Sequence, residues 1–242
     1  MIKVQIVFIG IPVYGLRKNV LSKWKSSLFQ VSIVPQTFSL NASCDLEDFG
    51  YSDRNLQSSL PNRDKLNGTA SDLLFYILDV PLEENHFSRI ISDNRIVISF
   101  YQIKDFLNQE HIPLENHILS LMYTYVLLFK GKTGSTISMK DEYAIAHDFS
   151  EGCLFDMCWI KKEVVHSCVK PTICEECIAF LKRRNVPISD IIAAKKEMKR
   201  IQRNLYDRII MFLKFHPIYS LVISGLIAII LGIVANIICK YI

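Results

Sequence analysis

The sequence predicts an α/β domain, a small mixed sheet with packed helices, followed by a cysteine-rich metal subregion and a C-terminal transmembrane helix. Three observations predict it. Short β-branched runs alternate with helical patterns between Lys3 and Phe129, which is the signature of strands covered by helices. Five of the seven cysteines fall between Cys153 and Cys177. No charged residue occurs from Pro217 to Cys239.

Lys3–Ile9 reads as a buried strand, and Gly10-Ile-Pro-Val-Tyr-Gly15 ends it. Arg17–Phe29 carries Val20, Leu21, Trp24 and Leu28 at helical spacing, so it predicts an amphipathic helix. Val31–Phe38 reads as a second strand. Residues 40–71 are the most polar stretch and predict an irregular excursion. Ser71–Val80 is an apolar run that suits a central strand, stopped at Pro81, which has no amide proton to give a ladder. Arg95–Tyr101 is a further strand, and Pro113–Phe129 a long apolar helix with proline near its first turn. Gly131-Lys-Thr-Gly-Ser-Thr136 resembles a phosphate loop in its Gly-Lys-Thr triplet. Position 126 is Val where the first glycine is needed, and a helix precedes it, so it reads as an ordinary loop.

Four cysteines form two short pairs, Cys153-LFDM-Cys158 and Cys174-EE-Cys177, fifteen residues apart. Two turns that each supply two thiolates, joined by a longer loop, make the spacing of a closed tetrahedral zinc site. Cys168 breaks the paired spacing and reads as a small buried hydrophobe. His147 lies just upstream. It is an alternative to Cys158, giving the set His147, Cys153, Cys174 and Cys177.

The uncharged stretch 217–239 is long enough to cross a hydrocarbon core of about 30 Å as a helix. Only three residues follow it here, so it reads as a tail anchor. Residues 182–214 carry ten Lys or Arg against three acids, whereas residues 1–181 sum to −4. A basic flank favours the cytoplasmic side and attracts anionic lipid. The N-terminus lacks a signal-peptide pattern, which agrees with a domain in the reducing cytoplasm, where thiolates bind metal more often than they pair. The expected layout is a domain over 1–187 with its zinc site at 147–177, a basic juxtamembrane helix over 188–216, and a single-pass span over 217–239. Membrane lipid is the expected partner, with no nucleic acid. Ile191, Ala194, Met198, Ile201, Leu205 and Phe212 form a seam of about three heptads. The seam predicts either self-association or a protein partner through 189–212, or packing on the domain itself.

The order of a small α/β domain, a long apolar helix, then C-x4-C and C-x2-C resembles the archaemetzincin family of zinc peptidases. The resemblance covers about residues 1–185 and carries over at Cys153, Cys158, Cys174 and Cys177, with Ile160 two places after the second cysteine. In that family HExxHxxGxxH binds a catalytic zinc and four downstream cysteines bind a structural one. This chain has no HExxH, one histidine (His117) in the long helix, and Gly152 where the last ligand histidine of the family stands.

What is left as candidate catalytic chemistry is His147, Asp148 and Glu151, with Asp156 or His166 as a third ligand. On a helix His147 and Glu151 would share a face, and Asp148 could stand in for a general base. The sequence therefore predicts a membrane-anchored zinc protein that resembles a degenerate metallopeptidase, in a binding, sensing or regulatory role such as a defence or stress effector. Two alternatives stand beside it. One is an active tethered zinc metallopeptidase using His147, Asp148 and Glu151. The other is a zinc-stabilised adaptor unrelated to peptidases.

Overall fold

The computed structural model describes residues 1–47, 49–66, 71–131, 136–148 and 150–241. Most of the expected loop at 131–136 lies outside the described residues. The chain divides into two compact units, Met1–Gln202 and Arg203–Ile242.

The first unit is mixed α/β. Its strands are β1 (Ile2–Ile9), β2 (Phe29–Phe38), β3 (Leu73–Leu78), β4 (Ser88–Ser92) and β5 (Arg95–Ser99). They form one sheet in the order β2-β1-β3-β5-β4. The first four of that order run parallel, and β4 pairs antiparallel with β5 at one edge. Its helices are α1 (Lys18–Ser22), α2 (Asp53–Ser59), α3 (Ile103–Gln109), α4 (Glu115–Lys130), α5 (Met139–Tyr143), α6 (Val164–Val169), α7 (Glu175–Arg183) and α8 (Ile188–Met198).

The continuous apolar run of β3 follows from burial on both faces, as in other helix-covered parallel strands. Leu73, Phe75 and Ile77 face the large core beneath α4, while Leu74, Tyr76 and Leu78 face a smaller core with Leu56 of α2 and Leu60 just after it. The long helix falls where the apolar run placed it, and all its residues but Lys130 are buried. The polar excursion contains α2, capped by the Ser52 hydroxyl.

Three elements differ from expectation. The helix expected over Arg17–Phe29 stops at Ser22, because Glu197 captures the next turn: it accepts from the Ser27 amide at 2.8 Å and from the hydroxyls of Ser26 and Ser27 at 2.6 and 2.7 Å. Strand β4 has no long apolar run, and its hairpin turn is marked only by Asp93 and Asn94, the latter at φ 57°. The basic helix expected over 188–216 is two helices, divided between the units. In the first, α8 buries Ile191, Ala194 and Met198 against the domain. Asp190 pairs with Lys130 at 2.7 Å, Glu197 accepts from the Tyr123 hydroxyl at 2.7 Å, and Arg200 stacks on Trp24. With Ile201 just beyond α8, four of the six seam residues are therefore core of their own domain.

The second unit holds α9 (Leu205–Phe215) and α10 (Pro217–Tyr241). The stretch Pro217–Ile238 has a mean hydropathy of 2.8 and none of it is buried, so α10 is long and apolar enough to cross a membrane.

Candidate metal centre

Residues 144–148 and 150–158 form turns rather than a helix, and they are held from two sides. The His147 amide donates to the Phe155 carbonyl at 3.1 Å and the Met157 amide to the His147 carbonyl at 2.9 Å. The Leu154 amide donates to the Thr172 carbonyl at 3.0 Å and the Thr172 amide to the Gly152 carbonyl at 2.7 Å. These bonds carry His147 and Cys153 to the start of α7. There Cys174 is the N-cap residue and its sulfur accepts from the Cys177 amide at 3.5 Å. Gly152 is required at its turn. Its φ is +77°, and a Cβ would stand 3.0 Å from the Lys170 carbonyl oxygen.

The outcome is one cluster of four donors, His147, Cys153, Cys174 and Cys177, with one ligand atom from each all within 4.8 Å of one another. His147 Nε2 lies 3.3 Å from Cys153 Sγ and 3.4 Å from Cys174 Sγ, and the sulfurs of Cys153 and Cys177 are 3.9 Å apart. A tetrahedron with Zn–S of about 2.3 Å and Zn–N of about 2.05 Å has S–S edges of about 3.8 Å and N–S edges of about 3.6 Å. The observed edges match to within a few tenths of an ångström, so these residues fit a zinc ion. Three thiolates and an imidazole are also a soft and borderline set that favours zinc over magnesium or calcium.

The electrostatics favour one deprotonated sulfur, that of Cys153. A hydrogen bond from the Cys177 thiol, working against burial, holds the Cys153 thiol down to about 5, and the same contact pushes Cys177 up. Burial works against charge on His147, but its contact with Cys153 outweighs this and raises it. The amino end of α7 adds positive potential at Cys174 and Cys177.

The other sequence candidates stand elsewhere. Cys158 lies outside the cluster although the paired spacing includes it. The Asp156 carboxylate accepts from the amides of Ser150 and Cys158, both at 3.0 Å, and the tight turn this makes leaves Cys158 at φ 47°. Burial and the nearby Asp156 and Glu163 push its thiol well up, as for a protonated buried sulfur. His147 enters from the opposite strand of the same turn, bridged to Asp156, and takes the fourth corner. Cys168 is fully buried, and its thiol is pushed up by burial to about 12. Asp148 and Glu151 contribute no atom to the cluster. Glu151 is exposed and reaches His166 at 4.0 Å, and neither stands on a helical face with His147. His117 is sealed in the core against Phe87 and Phe100, and burial lowers it to about 3.

Sequence reasoning missed a cavity of about 60 Å3 between β4, α4 and the Phe155 turn. Its floor is polar. The Tyr125 hydroxyl donates to Glu142 at 2.7 Å and lies 2.9 Å from the Ser88 hydroxyl. Desolvation outweighs these bonds and raises the Glu142 carboxyl to about 7. No residue spacing in the sequence signals this grouping, because its members come from three separate elements.

An archaemetzincin from Methanopyrus kandleri is similar in structure, over 76% of this chain and 95% of its own, with 11% sequence identity and a TM-score of 0.43. That likeness carries no argument about chemistry. No family model matches the sequence, and no curated protein matches it.

Proposed function

We propose that this chain is a membrane-tethered zinc protein with a binding or regulatory role, in which the metal organises the fold instead of performing hydrolysis. One observation carries the reading. The four donors fill a tetrahedron, so a zinc ion held by them keeps no position for a water or a substrate carbonyl, which a catalytic zinc requires. The ion's contribution would be to join the turn at His147–Cys153 to the start of α7, because a thiolate site forms only in the folded chain. The span at 217–238 anchors the chain, and the domain faces the cytoplasm, as the basic flank between 182 and 214 favours.

Metal analysis of the purified full chain tests this. One zinc per chain is expected, released only together with unfolding of the domain. A second, exchangeable zinc accompanied by peptide hydrolysis would sink the reading. Orientation has its own test in Cys44, which is exposed. A membrane-impermeant maleimide should leave intact cells unlabelled at Cys44 and label it after lysis. Labelling before lysis would reverse the topology.

A further inference from the structure

Two turns of the first unit put large apolar side chains into water at the same edge of the sheet. Strands β1, β3 and β5 are parallel, so their carboxyl ends share one edge. The turn after β1 leaves Ile11 84% and Tyr14 96% exposed. A second turn leaves Trp159 75% and Ile160 64% exposed. Lys161 ties that second turn to the end of β5: its ammonium donates to the Tyr101 carbonyl at 3.3 Å and lies 5.0 Å from the Tyr101 ring.

The amino end of α4 joins the two turns. Leu114 lies against Gly15, and Glu115 pairs with Arg17 at 3.1 Å. The next residue, Asn116, donates to the Cys168 carbonyl of α6 at 2.8 Å and to the Gln202 carbonyl at 3.0 Å. Gln202 is the last residue of the first unit, so the chain leaves that unit at this edge.

Exposed tryptophan, tyrosine and isoleucine beside lysine and arginine is the composition of the membrane interface, where an amphipathic ring has one end in the hydrocarbon and the other in water. Arg17 and Lys18 follow the first turn and exposed Lys162 the second, whereas Lys161 is buried against Tyr101. The acids on this side include Glu163 beside the second turn and Asp105 of α3, both exposed, and Glu110 just after α3, half-buried, while Asp79 and Glu115 are paired with Lys104 and Arg17. Apolar insertion, with the cations at headgroup level, is therefore the main interaction. Lipid is favoured over a protein as the occupant by the tether. Fourteen residues, 203–216, separate Gln202 from the span, and the eleven of α9 rise only about 16 Å as a helix. The bilayer is thus held near this edge at high effective concentration, so that weak insertion suffices.

We propose that Ile11, Tyr14, Trp159 and Ile160 enter the lipid interface, and that the domain rests on the bilayer by the carboxyl edge of its sheet. This rests on the reading of 217–238 as a span, and the experiment separates the two. Trp159 is one of two tryptophans. The other, Trp24, is held by Tyr123 and Arg200, so subtracting the emission of Trp159→Phe from that of the native chain isolates Trp159. The full chain is reconstituted in phosphatidylcholine vesicles containing anionic lipid, with and without bromine on the acyl chains, and its carbonate resistance is measured in parallel.

The expected result is a blue-shifted Trp159 component that is quenched in brominated vesicles and shielded from acrylamide. Ile11→Ser with Tyr14→Ser should weaken that quenching. Aqueous emission without bromine quenching, in a chain that resists carbonate, overturns the edge contact and leaves the span standing. Shielding from acrylamide without bromine quenching also overturns it, in favour of a protein occupant. Quenching unchanged in the double variant refutes a shared edge. Extraction by carbonate while bromine quenching persists would sink the span and support the edge contact by itself.

Discussion

Removal of the Cys158 sulfur should leave the zinc in place, whereas removal of any of His147, Cys153, Cys174 or Cys177 should release it. The two outcomes differ greatly in size. A structural zinc contributes about 10–16 kcal/mol of apparent binding energy in small domains. That is comparable to the whole stability of a domain, about 5–15 kcal/mol. Losing one corner of the tetrahedron therefore threatens the fold from His147 to α7. Cys158, by contrast, is a buried sulfur outside the cluster. Cys158→Ala deletes one buried heavy atom, worth about 1 kcal/mol, or roughly 2–4 °C in Tm for a unit of this size. The assay is zinc content per chain by mass spectrometry, with thermal unfolding followed in the presence and absence of chelator. Full loss of zinc in Cys158→Ala, or full retention in His147→Ala with Cys158 intact, would refute the reasoning.

Gly152→Ala should cost about 1–3 kcal/mol and weaken zinc retention, because φ is +77° and the carbonyl it meets is backbone. Unchanged chelator sensitivity would show that the turn adapts. Glu142→Gln should flatten the pH dependence of stability between pH 4.5 and 7. The folded carboxyl is raised to about 7 from an ordinary value of 4.5, so the folded state holds the extra proton and stability falls as pH rises through this window, by on the order of 3 kcal/mol in total. Denaturant midpoints measured across that range check the sign, and an equal slope in both proteins would count against it. Ile227→Arg, at the middle of the span, should disfavour insertion by about 3 kcal/mol and shift the chain towards the carbonate-soluble fraction. No shift would mean that another part of the chain does the anchoring.

Features that depend on local pattern are legible in the residues alone. The central strand Leu73–Leu78 and the helix Glu115–Lys130 are apolar because both are surrounded by core, and that burial writes itself into consecutive residues. The helix at 217–238, long and apolar enough to cross a membrane, is legible from composition alone, although none of it is buried in the core. The cysteine spacing pointed to the segment where four donors that could hold a metal cluster: three of them are paired cysteines, and the fourth is His147, the alternative to Cys158. It could not choose between His147 and Cys158. That choice depends on which way one turn bends, and Asp156 fixes it through two backbone amides.

The rest depends on contacts between residues far apart in the chain. The packing of the first part of the seam, Ile191 to Ile201, on its own domain turned on Glu197 and Asp190 finding Ser27, Tyr123 and Lys130 far away in sequence. The Glu142–Tyr125–Ser88 grouping and the exposed Trp159 beside the end of β5 likewise join residues from separate elements. Periodicity records which face of an element is covered. It does not record what covers it, because that contact is set by the packing of the whole chain.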